Sequence, residues 1–134
     1  MLSDQVIRDG SLHATATGFR FDLRLPWYRA LPLSCVEGLE VTLDGASTPA
    51  DDLSLEIDGS AYALADLPPL HERAWYVADA ARVTARRRDL PTAPTEHALD
   101  VTIHVRIPYI VESGVPLVMR ERCVKAMPMN QEPA

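Results

Sequence analysis

The sequence feature that most constrains the fold is an alternation of apolar and polar residues with a period of two. In its longest example, Leu99 to Ile107, every second residue is apolar and the residues between are Asp, Thr, His and Arg. Successive side chains of an extended strand point to opposite faces, so the pattern predicts strands with one buried and one solvated face. Shorter examples are Phe19–Leu25, Leu39–Leu43 and Leu53–Ile57. Weaker patterns predict strands at Val6–Arg8, Ala61–Leu64, Val83–Arg87 and Val118–Val124.

Turn-forming residues separate these segments. Asp58-Gly59 fits a two-residue hairpin, because this dipeptide tolerates the positive φ values of a type I′ turn. Asp44-Gly45 opens a second turn, and Pro91 with Pro94 brackets a loop before the longest strand. These turns are typical of strands that follow one another directly in the chain.

Strands that are apolar on one side must bury that side. About eight such strands in a chain of 134 residues can do so as two packed sheets. The sequence therefore predicts an all-β fold, an antiparallel two-sheet β-sandwich that is jelly-roll-like. We expect residues 1–127 to form this single domain and residues 128–134 to form a flexible C-terminal tail. The only helical turn that we expect lies at Ala65–Leu70 or Leu70–Arg73, where Pro68-Pro69 limits its length.

The charge and the cysteine content argue against several functions. A net charge of −6 and a pI near 5.1 do not suit nucleic acid or an anionic membrane, since either needs a basic surface. We find no apolar run that could cross a bilayer and no pattern of a signal peptide. Cys35 and Cys123 lack C-x-x-C spacing, and a single disulfide between them stays open. From these features together we expect a soluble cytoplasmic protein with reduced thiols. The basic run Arg86–Arg88 is either a solvated strand end or a docking patch.

Candidate catalytic and metal-binding residues are sparse. None of the four histidines has the H-x-H spacing that is typical of a metal-binding jelly roll. His97 and His104 are seven residues apart, so in a regular strand they point to opposite faces. Ser34-Cys35 has no neighbouring pattern that supplies a base, and no Gly-rich phosphate loop is present. We therefore expect no catalytic, cofactor-binding or metal-binding residue on this chain.

The most unusual segment is the loop Leu25–Ser34, which combines two aromatic residues, an arginine and three leucines with prolines. So much apolar area in a loop is difficult to solvate. One interpretation is that the loop folds back over one end of the sandwich as part of the core. The other is a partner interface, because Trp, Tyr and Arg are the residues that anchor interfaces. The candidate interface residues are Pro26, Trp27, Tyr28, Arg29, Leu31, Pro32 and Leu33.

The same loop carries a resemblance to a known family. The string from Leu23 to Ser34, followed by Glu37 to Gly45, resembles the β subunit of the bacterial C-glycoside deglycosidases. The resemblance continues more loosely through Trp75 and the strand that ends at Tyr109. It spans the chain from about Gly18 to Tyr109.

The resemblance implies a small β-sandwich subunit bound to a catalytic (β/α)-barrel α subunit, in a hetero-oligomer with equal numbers of both. The partner would carry the divalent metal, expected to be manganese, and the acid/base histidine. Such a complex would be a carbon–carbon lyase that cleaves the C–C glycosidic bond of 3-oxo-C-glycosides. It would deprotonate the carbon next to the keto group and eliminate the aglycone. None of those catalytic residues has a matching position in this chain.

Two other functions stay open. A stand-alone carbohydrate-binding β-sandwich module would use Trp27, Tyr28, Trp75 or Tyr76 as sugar-stacking platforms. It would bind glycans as an isolated domain. A metal-dependent sandwich enzyme would instead hold a stoichiometric metal ion. For the pair Trp75-Tyr76, we favour a core residue beside a residue at the start of a strand.

Overall fold

A computed structural model describes residues 6–88, 90 and 96–131 of the chain. These residues form strands, turns and three single turns of 3-10 helix, which confirms the all-β prediction. The strands are β1 (His13–Ala14), β2 (Gly18–Arg24), β3 (Leu31–Pro32), β4 (Val36–Leu43), β5 (Ala46–Thr48), β6 (Leu53–Ile57), β7 (Ser60–Ala63), β8 (Ala74–Trp75), β9 (Ala80–Arg86), β10 (His97–Glu112), β11 (Val115–Met127) and β12 (Asn130–Gln131). The 3-10 turns are Leu33–Cys35, Ala50–Asp52 and Leu64–Asp66. No helix in the described part of the chain is long and apolar enough to cross a membrane.

The strands are arranged as two large sheets and one small pair. The first sheet has the order β12-β1-β2-β9-β6-β7, in which β12 runs parallel to β1 and the other neighbours are antiparallel. The second, fully antiparallel sheet has the order β11-β10-β4-β5. Strands β3 and β8 form the small pair.

One hydrophobic core is shared by the two large sheets. In β2 it contains Phe19, Phe21 and Leu23, which are fully buried. In β10 every second residue from Leu99 to Ile107 is buried, and the residues between them are half-buried. Burial thus follows the period of two in both sheets, as expected for strands with one face on a shared core. The prediction of a two-sheet sandwich is confirmed.

Three hairpins close with two-residue turns in which both residues have positive φ. Asp44-Gly45 joins β4 to β5 with φ of 50° and 84°, and Asp58-Gly59 joins β6 to β7 with φ of 53° and 81°. Both turns were predicted from the sequence. Ser113-Gly114 joins β10 to β11 with φ of 51° and 79° and was not predicted. A non-glycine residue with positive φ is unusual, and the type I′ geometry of a hairpin is what requires it.

The observed strands differ from the predicted ones mainly in the short strands. The chain has more than eight strands, because two-residue strands such as β1, β3 and β8 add edges to the sheets. The predicted strand Val6–Arg8 contributes a single bridge, between Ile7 and Leu23. A helical turn was predicted at Ala65–Leu70 or Leu70–Arg73, and the structure has a 3-10 turn at Leu64–Asp66, which overlaps only the start of the first range.

The described C-terminal residues, which end at Gln131, include a short strand within the segment 128–134. Asn130 pairs with His13 as part of β12, and its amide donates to the carbonyl of Leu12 at 2.9 Å. The open edge of β1 supplies the hydrogen bonds that draw these residues into the sheet. The loop predicted between Pro91 and Pro94 lies outside the described residues.

The hairpin of β10 and β11 is longer than the sheet that supports it. Strand β4 pairs with β10 only as far as Val105, whereas β10 and β11 continue to pair up to Glu112 and Val115. We call the projecting part, residues 107–118, the arm. Its register shifts between Ile107 and Val111, where β10 contains a bulge.

Candidate partner interface

The loop Leu25–Ser34 is divided between the core and the surface. Leu31 and Leu33 are 2% and 1% exposed, and Pro26 is buried as well. Leu31 pairs with Trp75 across β3 and β8, and the amide of Leu33 donates to the carbonyl of Arg73 at 2.8 Å. These residues belong to the core, so they support the loop and offer no surface to a partner.

The rest of the loop reaches the surface. Tyr28 is 65% exposed, Arg29 is exposed, and Trp27 and Pro32 are half-buried. The rings of Trp27 and Tyr28 contact each other, with centroids 4.8 Å apart and planes tilted by 44°. Of the seven residues predicted as an interface, Trp27, Tyr28, Arg29 and Pro32 are therefore the ones that reach the surface.

Tyr109 completes this surface from a distant part of the chain. The indole N–H of Trp27 donates a hydrogen bond to the hydroxyl of Tyr109. The guanidinium of Arg29 lies 5.5 Å from the centre of the same ring, within the range of a cation–π contact. We call Trp27, Tyr28, Arg29 and Tyr109 the aromatic patch. Sequence reasoning missed Tyr109, because the bulge that presents it is not visible in a pattern of period two.

Further apolar surface continues beside the aromatic patch. Tyr76 and Val77 are 59% and 42% exposed, and Val77 borders a small cavity of about 180 Å³ that Trp27 and Tyr28 also line. Trp75, by contrast, is fully buried, and its indole N–H donates to the carbonyl of Asp79 at 2.8 Å. The interpretation of Trp75 as a core residue is confirmed.

Arg106 on β10 fixes the C-terminal end of the loop Leu25–Ser34. Arg106 forms an ion pair with Glu37 and donates a second hydrogen bond to the carbonyl of Ser34 at 3.1 Å. The same guanidinium nitrogen lies 3.9 Å from the sulfur of Cys35. These contacts bind the loop to the strand that also carries Tyr109, so the two parts of the aromatic patch share one support.

The two histidines of β10 lie on opposite faces and are each paired with a carboxylate. The Nδ1–H of buried His97 donates to Asp44 at 2.7 Å, and Nε2 of His104 lies 2.8 Å from Glu40. Burial alone would raise the pKa of Asp44, but hydrogen bonds from His97 and from the Ala98 amide bring that pKa below its ordinary value. The hydrogen bond with His104 lowers the pKa of Glu40. Among the described residues, no three His, Cys, Asp or Glu side chains are grouped to hold a metal ion.

The remaining candidates have ordinary structural surroundings. Arg86 pairs with Asp52 at 3.0 Å, and Arg87 donates to the carbonyl of Leu43 at 3.1 Å, so both guanidinium groups are engaged within the chain. Cys35 and Cys123 are free thiols and both are buried. Among the candidates from the sequence, the aromatic patch is therefore the surface whose composition best fits a partner interface.

Comparisons with known proteins agree with one another. The family model described as "C-glycoside deglycosidase beta subunit" matches residues 1–109. A "3'-dehydrocarminate deglycosidase beta subunit" of a Microbacterium species is 37% identical over 131 residues, which cover 98% of each chain. A "C-glycoside deglycosidase beta subunit" of Microbacterium trichothecenolyticum is 36% identical over 113 residues, 84% of this chain and 85% of that protein. Another of that name, from Arthrobacter globiformis, is 31% identical over 134 residues, covering 98% of this chain and all of the relative.

Proposed function

Because the chain belongs to the C-glycoside deglycosidase beta subunit family, we propose that it is the non-catalytic subunit of a heteromeric C-glycoside deglycosidase. Family membership confirms the resemblance carried by the string from Leu23 to Ser34. The name of a beta subunit implies a partner subunit in a complex. In the proposal that partner is a (β/α)-barrel α subunit, which holds the divalent metal, expected to be manganese, and the catalytic residues.

The proposed reaction cleaves the carbon–carbon bond between a 3-oxo sugar and its aglycone. The keto group at C3 acidifies the proton on C2, so a base can remove it. The electron pair of that C–H bond then forms the C1–C2 double bond, while the aglycone leaves with the electron pair of the C1–C bond and accepts a proton. We assign this chemistry to the α subunit, since His97 of this chain is buried against Asp44 and His104 is bonded to Glu40.

The observation that carries the role of a docking subunit is the aromatic patch. A half-buried tryptophan, an exposed tyrosine and an exposed arginine lie together on a surface fixed by core leucines below. Trp, Tyr and Arg supply most hot spots of protein interfaces, and hot spots bind best when they are held rigidly before association. We propose that this patch docks on the α subunit and orders it or closes one side of its active site. A cytoplasmic location and equal numbers of the two subunits are part of the same proposal.

Reconstitution tests the proposal directly. The chain and the α subunit are expressed separately and together, and cleavage of a 3-oxo-C-glycoside is followed by release of the aglycone. We expect no activity from this chain alone and activity with stoichiometric complex when both are present. Activity of the isolated chain, or full activity of the α subunit without it, would contradict the proposal.

A carbohydrate-binding module is the competing function, because Tyr28 and Tyr76 are exposed enough to stack on sugars. Calorimetric titration of the isolated chain with the sugar and with the C-glycoside distinguishes a carbohydrate-binding module from a docking subunit. Saturable glycan binding in the absence of the α subunit, lost in Tyr28→Ala, would favour the module.

A further inference from the structure

We infer that the arm, residues 107–118, inserts into an apolar groove of the α subunit and so forms the second half of the docking surface. This inference deepens the proposed function and rests on it. The arm and the aromatic patch would bind the same partner, because Tyr109 belongs to both.

The arm has the apolar composition of buried structure, yet apart from buried Ile107 and half-buried Ile110 and Pro116 its residues are exposed. Its exposed apolar side chains are Tyr109 (48%), Val111 (54%), Val115 (63%), Leu117 (38%) and Val118 (45%). Glu112 is the single charged residue between Ile107 and Met119. Contiguous apolar surface of this kind marks interaction sites on soluble proteins.

Apolar residues occupy both faces of the arm. Leu117 and Val118 are neighbours on β11, so their side chains point to opposite faces, and both are exposed. A flat partner surface could cover only one of these faces. A groove covers both, which is why we assign the arm to a groove.

Among the described residues no third strand pairs with the arm, whose contacts with the rest of the chain include those of buried Ile107 and of Tyr109. Strand β4 stops pairing at Val105, so beyond that point β10 and β11 form a two-stranded ribbon. Such a ribbon is only marginally stable by itself in water. The stem of the hairpin, residues 97–105 of β10 and 119–127 of β11, is however fixed in the four-stranded sheet, so the position of the arm is set before a partner covers it.

We assign the α subunit, and not a second copy of this chain, as the partner of the arm, because the edge of β11 is poorly suited to pair with itself. Symmetric pairing of two β11 edges about Glu121 would place Arg120 opposite Arg122 of the other copy, and like charges directly opposed destabilise a sheet. Nearer the tip, Pro116 lacks the amide that such a pairing needs. The continuity of the arm with the aromatic patch further favours the partner that the patch binds.

The chemistry of the partner groove follows from the arm. Its walls should be apolar along the length of the valines, with a cation or backbone N–H groups where the carboxylate of Glu112 enters. The carboxylate lies beside the turn at Ser113-Gly114, so this polar contact would be at the far end of the groove.

The test compares two lysine substitutions on one strand. Val115→Lys places a charge on the arm, and Val124→Lys places the same charge on the stem of β11, where the valine is 55% exposed against 63% for Val115. Dissociation constants for the purified α subunit are measured by surface plasmon resonance, with thermal unfolding of each isolated variant as the check on folding. We expect Val115→Lys to raise Kd at least about tenfold, and Val124→Lys to stay within about twofold of wild type, with both variants unfolding like wild type.

Each other outcome has a defined meaning. Equal effects of the two lysines, or none from Val115→Lys while Tyr28→Ala weakens the complex, would overturn the arm inference and leave the proposed function standing. A wild-type chain that does not bind the α subunit would overturn both. If light scattering shows a dimer of the isolated chain that Val115→Lys converts to a monomer, the occupant is a second copy and the inference is wrong.

Discussion

The indole N–H of Trp27 donates a hydrogen bond to the hydroxyl of Tyr109, which lies 82 residues further along the chain. This contact joins the loop after β2 to the bulge of β10, and Arg29 contacts the same tyrosine ring. The aromatic patch is thus organised within the isolated chain. Less ordering entropy is lost when a partner binds a surface of this kind.

Removing the most exposed ring of the patch should weaken the complex. Tyr28 is 65% exposed and rests on Trp27, so Tyr28→Ala removes contact area without opening the core. We expect a loss of about 2 kcal/mol or more, roughly a thirtyfold rise in Kd for the α subunit. Calorimetric titration measures it, and an unchanged Kd would remove Tyr28 from the interface.

Arg29 should matter for its position and not merely for its charge. Arg29→Ala removes the cation next to Tyr109, whereas Arg82→Ala removes an exposed arginine from β9 in the other large sheet. We expect Arg29→Ala to weaken the complex by at least about 1 kcal/mol and Arg82→Ala to leave it unchanged. Equal effects in the same binding assay would indicate a general electrostatic attraction.

The bond between Trp27 and Tyr109 should couple the two residues. Trp27→Phe and Tyr109→Phe each remove one side of the bond and keep an aromatic ring. We expect each to weaken the complex by about 1 kcal/mol and the double variant to be no worse than either. A double-mutant cycle of Kd values measures the coupling, and strictly additive effects would show that the bond does not organise the patch.

The contact of Asp44 with His97 should make stability depend on pH. Hydrogen bonds from His97 and Ala98 outweigh burial and lower the pKa of Asp44 from its ordinary 3.8, so the folded state favours the carboxylate. This stabilisation is complete above the unfolded pKa and is lost as the pH falls through the lower folded pKa. At pH values under about 4, the free energy of unfolding of wild type should therefore decrease, because this contribution is lost.

Asp44→Asn tests that contribution, because asparagine tolerates the positive φ of this turn position. We expect the variant to lose about 1–2 kcal/mol of unfolding free energy at pH 7 and to depend less on pH between about 5 and 3. Urea unfolding at several pH values measures this. Exposed Asp51→Asn is the control, and an equal change of pH dependence there would contradict the assignment.

Two strand glycines should respond very differently to alanine. A Cβ at Gly18 would lie 1.9 Å from the carbonyl oxygen of Ala85 on the neighbouring strand, so β2 and β9 would have to separate. A Cβ at Gly38 would have the side chain of His104 as its nearest neighbour, at 3.3 Å. We expect Gly18→Ala to cost about 3 kcal/mol of unfolding free energy and Gly38→Ala less than about 1. Denaturant unfolding measures both, and similar values would be inconsistent with the close approach at Gly18.

The fold was predictable where one face of a strand is buried and the other is wet. Leu99 to Ile107 has that environment in β10, and its alternation identified the strand. The arm that follows is apolar and exposed on both faces, so its sequence has no period and gave no indication of the Ser113-Gly114 hairpin. The short pairing of Asn130 with His13 depends on an open edge elsewhere in the sheet, which no local pattern records.

The candidate site was predictable in part for the same reason. Trp27, Tyr28 and Arg29 stand out by residue type in one loop, and the sequence predicted them as an interface. Whether each leucine of that loop faces the core depends on the pairing of β3 with β8, which is tertiary. The place of Tyr109 depends on a bulge, and one residue more or fewer there would have turned its ring elsewhere.

The contact of Asp44 with the first residues of β10 fixes the register of the hairpin formed by β10 and β11. By accepting hydrogen bonds from both His97 and the Ala98 amide, Asp44 fixes where the long strand starts. Tyr109 follows His97 by twelve residues, which in an extended strand span at most about 40 Å. A slip of one position at the origin would exchange inner and outer faces along this length. The position of Tyr109 in the aromatic patch therefore depends on the register that Asp44 sets at the start of β10.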